Sequence, residues 1–257
     1  MTQLLEHLNA ARARHKLLVP YLMAGLPDRA TYPDALRAVA GDADVVEVGI
    51  PFSDPLMDGP VIAAAAERAL RAGVGPLEAL EETAAVDVPA PRVAMTYYNP
   101  IHRIGEEEFC RRTVKANISG LIVPDLPLEE SESLRTAAAA AGLAWIPLVA
   151  PTSSADRVRA IAATSTGFVY AVSTLGVTGV RESLSERAQP LVDACRAATD
   201  LPVLVGIGIS TPAHATEAST VADGVVIGSA VVARLTEEGP AATASFLSDV
   251  RKALDAA

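Results

Sequence analysis

The sequence predicts an α/β fold, a (β/α)8 TIM barrel built as a single domain over residues 1–257 with an extra helix at its N-terminus. Three observations lead to this prediction. Eight short apolar segments alternate with Ala-rich helical segments, the apolar segments show no polar alternation, and 257 residues suit one barrel. Closing a parallel sheet into a barrel removes both of its edges, which favours the barrel over an open sheet.

The predicted strands are continuous runs of apolar and β-branched residues, as expected for strands covered on both faces by other elements. In chain order they are residues 17–22, 44–48, 92–97, 120–124, 144–149, 167–172, 202–205 and 224–227. No linker or change of composition divides this series. The sequence therefore indicates one domain.

Helical segments with apolar residues at helical spacing lie between the strands. The clearest are residues 1–14, 31–41, 61–72, 106–116, 129–141, 155–163 and 184–198. Ser154 and Thr211, the latter followed by Pro, are typical of residues that begin a helix. Gly41, Gly73 and Gly142 stand where a left-handed residue is expected to end one.

Composition and charge exclude several classes of function. The net charge is −10 and no basic run exceeds two residues, which disfavours binding to nucleic acids or anionic lipids. There is neither an uninterrupted apolar N-terminal run nor a segment of about 18 apolar residues, so we expect no signal peptide and no membrane span. Cys110 and Cys195 lie in helical segments and are expected to be reduced packing residues. These features predict a cytoplasmic protein.

Glu47, in the second predicted strand, is the first candidate for catalysis. A period of two places it on the same face as Val45, so it is partly buried whether that face meets the helices or fills the barrel. A buried carboxylate without a partner costs several kcal/mol or changes its pKa. One interpretation is a structural ion pair or hydrogen bond. The other is a general acid/base at the catalytic end of a barrel strand.

The loop after this strand, residues 51–60, contains three prolines and the acidic residues Asp54 and Asp58. Prolines stiffen a loop, which suits one that must position a side chain. Asp58 precedes Gly-Pro and a helical segment, so it is either a plain helix cap or a functional carboxylate.

Glycine-containing segments follow each of the last three predicted strands, at residues 176–179, 206–210 and 228–229. Loops after the last strands of a barrel commonly bind phosphate, because glycine lets backbone N–H groups approach its oxygens and a helix N-terminus adds partial positive charge. The hydroxyl of Ser229 adds a further donor. The sequence thus predicts a phosphate site without any Lys or Arg.

Other chemistries find no support in the sequence. No lysine lies at the catalytic end of a strand, which disfavours a Schiff-base enzyme, and the four histidines show no ligand spacing, so no metal site is expected. No nucleophile motif is present. Acid/base chemistry by carboxylates on a phosphorylated substrate remains.

The motifs of residues 17–235 resemble one family. VEVGIPFSDP at residues 46–55, followed by DGP at 58–60, is similar to the signature of the tryptophan synthase α subunit. Shorter motifs resemble that family too: YYNP at 97–100, VPDLP at 123–127, GVTG at 176–179 and GIGIS at 206–210.

This resemblance implies a carbon–carbon lyase of tryptophan biosynthesis that cleaves indole-3-glycerol phosphate to indole and glyceraldehyde 3-phosphate by a retro-aldol reaction. It implies no cofactor in this chain, and as partner a PLP-dependent β subunit that receives the indole in an α2β2 heterotetramer. Glu47 would be the general acid/base for the substrate hydroxyl and ring carbon C3, and Asp58 would stabilise the charge that develops at the indole N–H. The other implied substrate contacts are Tyr21, Met95, Tyr97 and Val226 around the indole, with Tyr170 near Glu47 or the substrate. For Tyr21 and Tyr97, packing at the barrel rim is the alternative to substrate contact. The remaining implied contacts are Thr178, Gly179, Gly208, Gly228 and Ser229, of which the glycines and Ser229 would hold the phosphate.

Two alternatives remain open. A phosphosugar isomerase of histidine or tryptophan biosynthesis would share the scaffold, but the first and fifth strands, which end VPYLM and PLVAP, offer no acid or thiol. A non-catalytic, phosphate-binding partner barrel would need no carboxylate at Glu47. For the main interpretation, the candidate catalytic groups lie on or beside loops 51–60 and 173–185. The second loop is rich in Gly, Ser and Thr, so it is expected to be mobile until a ligand or the β subunit orders it.

Overall fold

The structure, a computed structural model, describes residues 1–172, 183–206 and 208–257. Nine parallel strands form one sheet in the order β5-β4-β3-β2-β1-β9-β8-β7-β6. Their bounds are β1 Leu17–Met23, β2 Val46–Gly49, β3 Arg92–Met95, β4 Ile118–Ile122, β5 Ala144–Trp145, β6 Leu148–Val149, β7 Val169–Val172, β8 Val203–Gly206 and β9 Gly224–Ile227. All eight strand predictions coincide with parts of this sheet.

The two outermost strands of that order, β5 and β6, are the two halves of the predicted fifth strand. They are separated by Ile146 and Pro147, and proline has no N–H to give to a ladder. Hydrogen bonding nevertheless continues on both sides: the Ile146 N–H donates to the Leu121 carbonyl of β4 at 3.0 Å, and the Tyr170 N–H of β7 donates to the Pro147 carbonyl at 3.1 Å. The sheet is therefore closed, and the predicted TIM barrel is confirmed.

Helices connect most of the successive strands on the outside of the barrel, α1 precedes β1, and α11 and α12 follow β9. Their bounds are α1 Gln3–Arg12, α2 Tyr32–Ala40, α3 Pro60–Arg71, α4 Pro76–Ala84, α5 Tyr98–Ile104, α6 Glu106–Lys115, α7 Glu132–Ala140, α8 Ala155–Ala162, α9 Leu184–Arg196, α10 Pro212–Ser219, α11 Ser229–Glu237 and α12 Pro240–Asp255. Ser154 and Thr211 cap α8 and α10 through their side chains, as predicted. None of the described helices is long and apolar enough to cross a membrane.

The predicted helix-ending glycines differ in outcome. Gly73 and Gly142 adopt φ values of +80° and +81°, as expected for left-handed residues. Gly41 does not: its φ is −59°, so that prediction is wrong. The chain continues past α2 in a right-handed turn, in which the Ala43 N–H donates to the Ala40 carbonyl at 3.4 Å.

The barrel interior follows the period of two. In β2 and the residue before it, Val45 packs inside the barrel, whereas Val46 and Val48 belong to the layer between sheet and helices. At the amino end, Leu4 and Leu8 of α1 pack against these interior side chains and cover the barrel. The carboxyl end is left for a site.

Candidate active site

A cavity of about 640 Å³ lies at the carboxyl end of the barrel. Inward-facing residues of the strands form its floor, and the loops after β2, β8 and β9 form part of its rim. Nine of the sequence-predicted site residues line it: Tyr21, Glu47, Asp58, Met95, Tyr170, Gly208, Val226, Gly228 and Ser229. Thr178 and Gly179 lie outside the described residues. Side chains from distant parts of the chain thus meet in one place.

Glu47 points into the barrel and is 2% exposed. Its Oε2 atom is buried and has no hydrogen-bond partner among the described residues. Burial, and secondarily the charge of Asp58, raises the pKa of Glu47 to about 8. The carboxyl group is therefore protonated at neutral pH and can give a proton to a group in the cavity. The structural ion pair considered for this residue is not observed within the described part of the chain.

Asp58 lies in the loop between β2 and α3. Burial raises its pKa to about 6, an increase that is limited by the Tyr97 hydroxyl beside it. At neutral pH this carboxylate is mostly ionised. The capping alternative for Asp58 is wrong, because Gly59 occupies the cap position of α3 and no side chain makes a capping hydrogen bond there. The loop instead holds this carboxylate at the cavity.

Tyr97 is 3% exposed and is not among the described residues that line the cavity. Its hydroxyl accepts a hydrogen bond of 2.9 Å from the Met57 N–H and contacts Asp58. Its ring packs against Phe52, with the ring centroids 5.3 Å apart. Tyr97 therefore holds loop 51–60 in place through its contacts with Phe52, Met57 and Asp58.

Tyr21 and Tyr170 stand on the cavity wall, on strands β1 and β7. The register pairs Tyr21 directly with Glu47. For both tyrosines, burial is the first cause of a raised pKa, and the charges of Glu47 and Asp58 add to it. Both hydroxyls consequently stay neutral at physiological pH and are able to donate a hydrogen bond to a ligand rather than to act as bases.

The loops after β8 and β9 form a glycine-lined part of the rim. Gly208 has a φ of +73°, a left-handed conformation that favours glycine, and a Cβ there would meet nothing within 4 Å. Gly228 is the cap residue of α11, and Ser229 begins that helix. No Lys or Arg occurs among the described lining residues. Attraction for an anion here would come from backbone N–H groups and the helix N-terminus.

Several lining residues were not predicted. They are Met57, Gly59, Ile62, Ile122, Pro124, Leu148, Ala150, Pro151, Val172 and Ala230, whereas Gly206, Ile209 and Ser210 belong to the predicted glycine segment 206–210. The inward period of two could have found Ile122, Leu148 and Val172, because they lie at the carboxyl ends of their strands. Met57 and Ile62 carry no such signal, since the course of a loop and the packing of a helix place them. The described residues contain no cluster of side chains suited to hold a metal ion.

Comparisons with known proteins agree with this geometry. The family model for the tryptophan synthase alpha chain matches residues 8–254. The chain is 48% identical over 255 residues to the tryptophan synthase alpha chain of a Synechocystis strain, covering 96% of this chain and 97% of the relative. The corresponding protein of Microcystis aeruginosa is 47% identical over 245 residues, covering 93% of each chain.

Solved structures give the same result. A chain of tryptophan synthase from M. tuberculosis superposes with a TM-score of 0.90 at 37% identity, with 98% of both chains covered. Tryptophan synthase subunit alpha from Legionella pneumophila gives a TM-score of 0.89 at 33% identity, with both chains covered completely (100%). With two carboxyl groups and a glycine-lined rim in place at the mouth of the barrel, these matches establish that the chain belongs to the tryptophan synthase alpha chain family.

Proposed function

We propose that this chain cleaves indole-3-glycerol phosphate to indole and glyceraldehyde 3-phosphate, with Glu47 as the general acid/base. The family to which it belongs has this lyase activity. The observation that carries the residue assignment is the buried Glu47 carboxyl, unpaired among the described residues and with a pKa of about 8, in a cavity shared with Asp58, whose pKa is about 6. A protonated carboxyl group beside an ionised one suits a reaction that needs a proton donor and a negative charge next to a developing cation.

In the proposed mechanism, the protonated Glu47 gives its proton to C3 of the indole ring, which becomes sp³ while the ring nitrogen becomes cationic. The Asp58 carboxylate stabilises this charge at the N–H. Glu47, now ionised, takes the proton of the hydroxyl next to the ring. The carbon–carbon bond breaks, its electrons restore the indole, and an aldehyde forms. Glu47 ends protonated as it began, and the electrons stay within the substrate, so the chemistry requires no cofactor.

The phosphate of the substrate is assigned to the rim formed by Gly208, Gly228 and Ser229. Their position beyond the strand ends supports this assignment, because it leaves the apolar floor beside Glu47 for the ring. Gly179 and Thr178, which the family resemblance adds to the substrate contacts, are assigned on that resemblance alone.

The variant Glu47→Gln tests the catalytic assignment. We expect it to lower turnover by at least about 10²–10⁴-fold, since one group serves two proton transfers, while ligand binding stays nearly intact. Steady-state cleavage and calorimetric titration with indole measure the two effects. Glu67→Gln, on the exposed face of α3, is the matched control. Turnover of Glu47→Gln within about threefold of wild type would contradict the assignment.

We further propose that the chain acts in the cytoplasm within an α2β2 heterotetramer, together with a PLP-dependent β subunit that consumes the indole. Family membership supports this proposal. So does the exposure of two apolar side chains, Leu56 at 88% and Met57 at 50%, in the loop that carries Asp58. A partner that covers this loop could favour its catalytic conformation.

Activation by the β subunit is the testable consequence. We expect its addition to raise cleavage ten- to a hundredfold, which corresponds to about 1.4–2.8 kcal/mol of coupling. The measurement is steady-state cleavage of indole-3-glycerol phosphate with and without purified β subunit from the same source. If the isolated chain already works at the rate of the mixture, this account of regulation is wrong even though the chemistry stands.

The two alternative functions are not favoured. The matching family is the tryptophan synthase alpha chain and not a phosphosugar isomerase. In addition, the described ends of the first and fifth strands place no acid or thiol in the cavity. A non-catalytic barrel offers no reason for an unpaired carboxyl group at Glu47. The cleavage assay of the wild-type chain separates the lyase from both alternatives.

A further inference from the structure

Gly49 and Tyr21 are in unusually close contact on the cavity wall. Gly49 lies two residues after Glu47 on β2, so a period of two turns it to the same inward face. A Cβ built on Gly49 would lie 2.0 Å from the Tyr21 Oη, 2.5 Å from Cζ and 2.9 Å from Cε2. No larger residue fits at this position while the Tyr21 ring stays where it is.

Packing rather than hydrogen bonding holds the Tyr21 ring. It is 2% exposed, and the hydrogen-bond contact of its hydroxyl is with the Met23 Sδ, at 3.9 Å. A thioether sulfur is a weak acceptor. The position of the ring is therefore set mainly by packing. The outer end of the ring, with its hydroxyl, occupies the space that a side chain at position 49 would otherwise fill.

If a side chain occupied the space over Gly49, the Tyr21 ring would have to move away from β2. Tyr21 lines the cavity, which offers the ring room, whereas the Met23 sulfur lies against its hydroxyl. A displaced ring would enter the cavity next to its register partner Glu47. It would narrow the floor and leave the rim at Gly208, beyond the end of β8, unchanged.

We propose that Gly49 is a positioning residue that sets the ring specificity of the site by seating Tyr21 in the barrel wall. By this means it keeps the space beside Glu47 wide enough for a planar bicyclic ring. The inference rests on the proposed function for the identity of that ring. It adds that a glycine outside the set of proton-transfer groups decides which ring can approach Glu47.

The first test compares two ligands in the variant Gly49→Ala. Calorimetric titration should show indole binding weakened at least about tenfold, or about 1.4 kcal/mol, while glyceraldehyde 3-phosphate binding changes by less than about twofold. Gly41→Ala is the matched control, because a Cβ at Gly41 makes only ordinary contacts of 3.7 Å or more and Gly41 is remote from the cavity. Unchanged indole affinity in Gly49→Ala would overturn the proposal.

The second test is rescue by the double variant Gly49→Ala with Tyr21→Leu. Leucine lacks the three ring atoms that the new Cβ would meet, so indole affinity should recover relative to Gly49→Ala alone, with Tyr21→Leu as the reference. If Gly49→Ala fails to fold, folding should return in the double variant. A double variant as impaired as Gly49→Ala, in binding or in folding, would mean that Gly49 does not act through Tyr21.

These titrations do not depend on turnover, which keeps the two hypotheses separate. A wild-type chain that binds indole but does not cleave indole-3-glycerol phosphate would refute the proposed function and leave the Gly49–Tyr21 relation testable. A wild-type chain that cleaves the substrate, with no rescue in the double variant, would refute only the present inference.

Discussion

At the scale of single residues, the burial that raises the pKa of Glu47 lowers the free energy of unfolding at neutral and higher pH. The unfolded chain would ionise this carboxyl near its ordinary pKa of 4.5, whereas the folded chain holds its proton up to about pH 8. Between these values the folded state binds a proton that the unfolded state has released. Folding stability therefore falls as pH rises through this interval, which is the opposite of the usual behaviour of an ion-paired carboxylate.

The variant Glu47→Gln should remove this cost. Glutamine does not ionise, so we expect the variant to unfold at a higher temperature than wild type at pH 8, with a smaller difference at pH 5. Thermal unfolding followed by circular dichroism at both values measures it, with Glu67→Gln as the exposed control. An equal difference at both pH values would show that ionisation of Glu47 does not penalise the fold.

At the scale of elements, the junctions from strand to helix build the rim. Gly208 follows β8 in a left-handed conformation, and α10 then begins with the Thr211 cap and Pro212. At the next junction, Gly228 and Ser229 join β9 directly to α11. Two helix N-termini thereby begin close to one part of the cavity mouth, where their partial positive charges suit an anion.

Gly208→Asp tests this use of the junction, and Gly142→Asp is its matched control. Both glycines have positive φ and open space at the Cβ position, and Gly142 lies away from the cavity. Aspartate tolerates the left-handed region better than most residues, so both variants should fold with a similar modest loss of stability. Only Gly208→Asp should weaken the binding of inorganic phosphate and glyceraldehyde 3-phosphate, and it should leave the binding of indole unchanged. Equal loss of all ligands would indicate damage to the fold instead.

At the scale of the whole molecule, Asp44 ties distant parts of the chain together at the amino end of the barrel. Its Oδ1 accepts a hydrogen bond of 2.7 Å from His15, and its Oδ2 accepts from the Leu18 N–H at 2.9 Å and from Arg251 of α12 at 3.2 Å. The first strand, the approach to the second and the last helix meet at this one carboxylate. This end of a barrel contributes to stability rather than to chemistry.

Asp44→Ala should accordingly destabilise the fold and leave the site intact. We expect a loss of about 3 kcal/mol in the free energy of unfolding, because the buried Leu18 N–H and the largely buried Arg251 both lose a hydrogen bond to Asp44. Arg251 keeps its pair with Asp255, and turnover per folded molecule stays unchanged. Urea denaturation measures the loss. In the control Asp34→Ala, which breaks an exposed pair with Arg37, the loss should stay below about 1 kcal/mol. Similar losses in both variants would show that Asp44 does not tie these elements together.

The sequence by itself determined the order of strands and helices, the barrel, the burial of Glu47 on either face of its strand and the glycine segments after the last strands. These features depend on local patterns, which a linear chain displays directly: continuous apolar runs, a period of two, and residues that begin or end helices. The family motifs then predicted nine of the residues that line the cavity. Local patterns with two possible outcomes were not decided by the sequence. At Asp58 the choice between a helix cap and a functional carboxylate stayed open, and at Gly41 the predicted left-handed conformation was wrong.

Only the tertiary structure decided the remaining features. The pKa values of Glu47 and Asp58, the support of loop 51–60 by Tyr97 and the seating of Tyr21 on Gly49 all depend on groups that are far apart in sequence. Loss of water around a carboxyl group is set by everything that surrounds it, and a contact across a barrel depends on strand register and ring packing. Neither the desolvation of a carboxyl group nor a contact across the barrel can be deduced from one segment of the chain, because both arise only when the sheet closes.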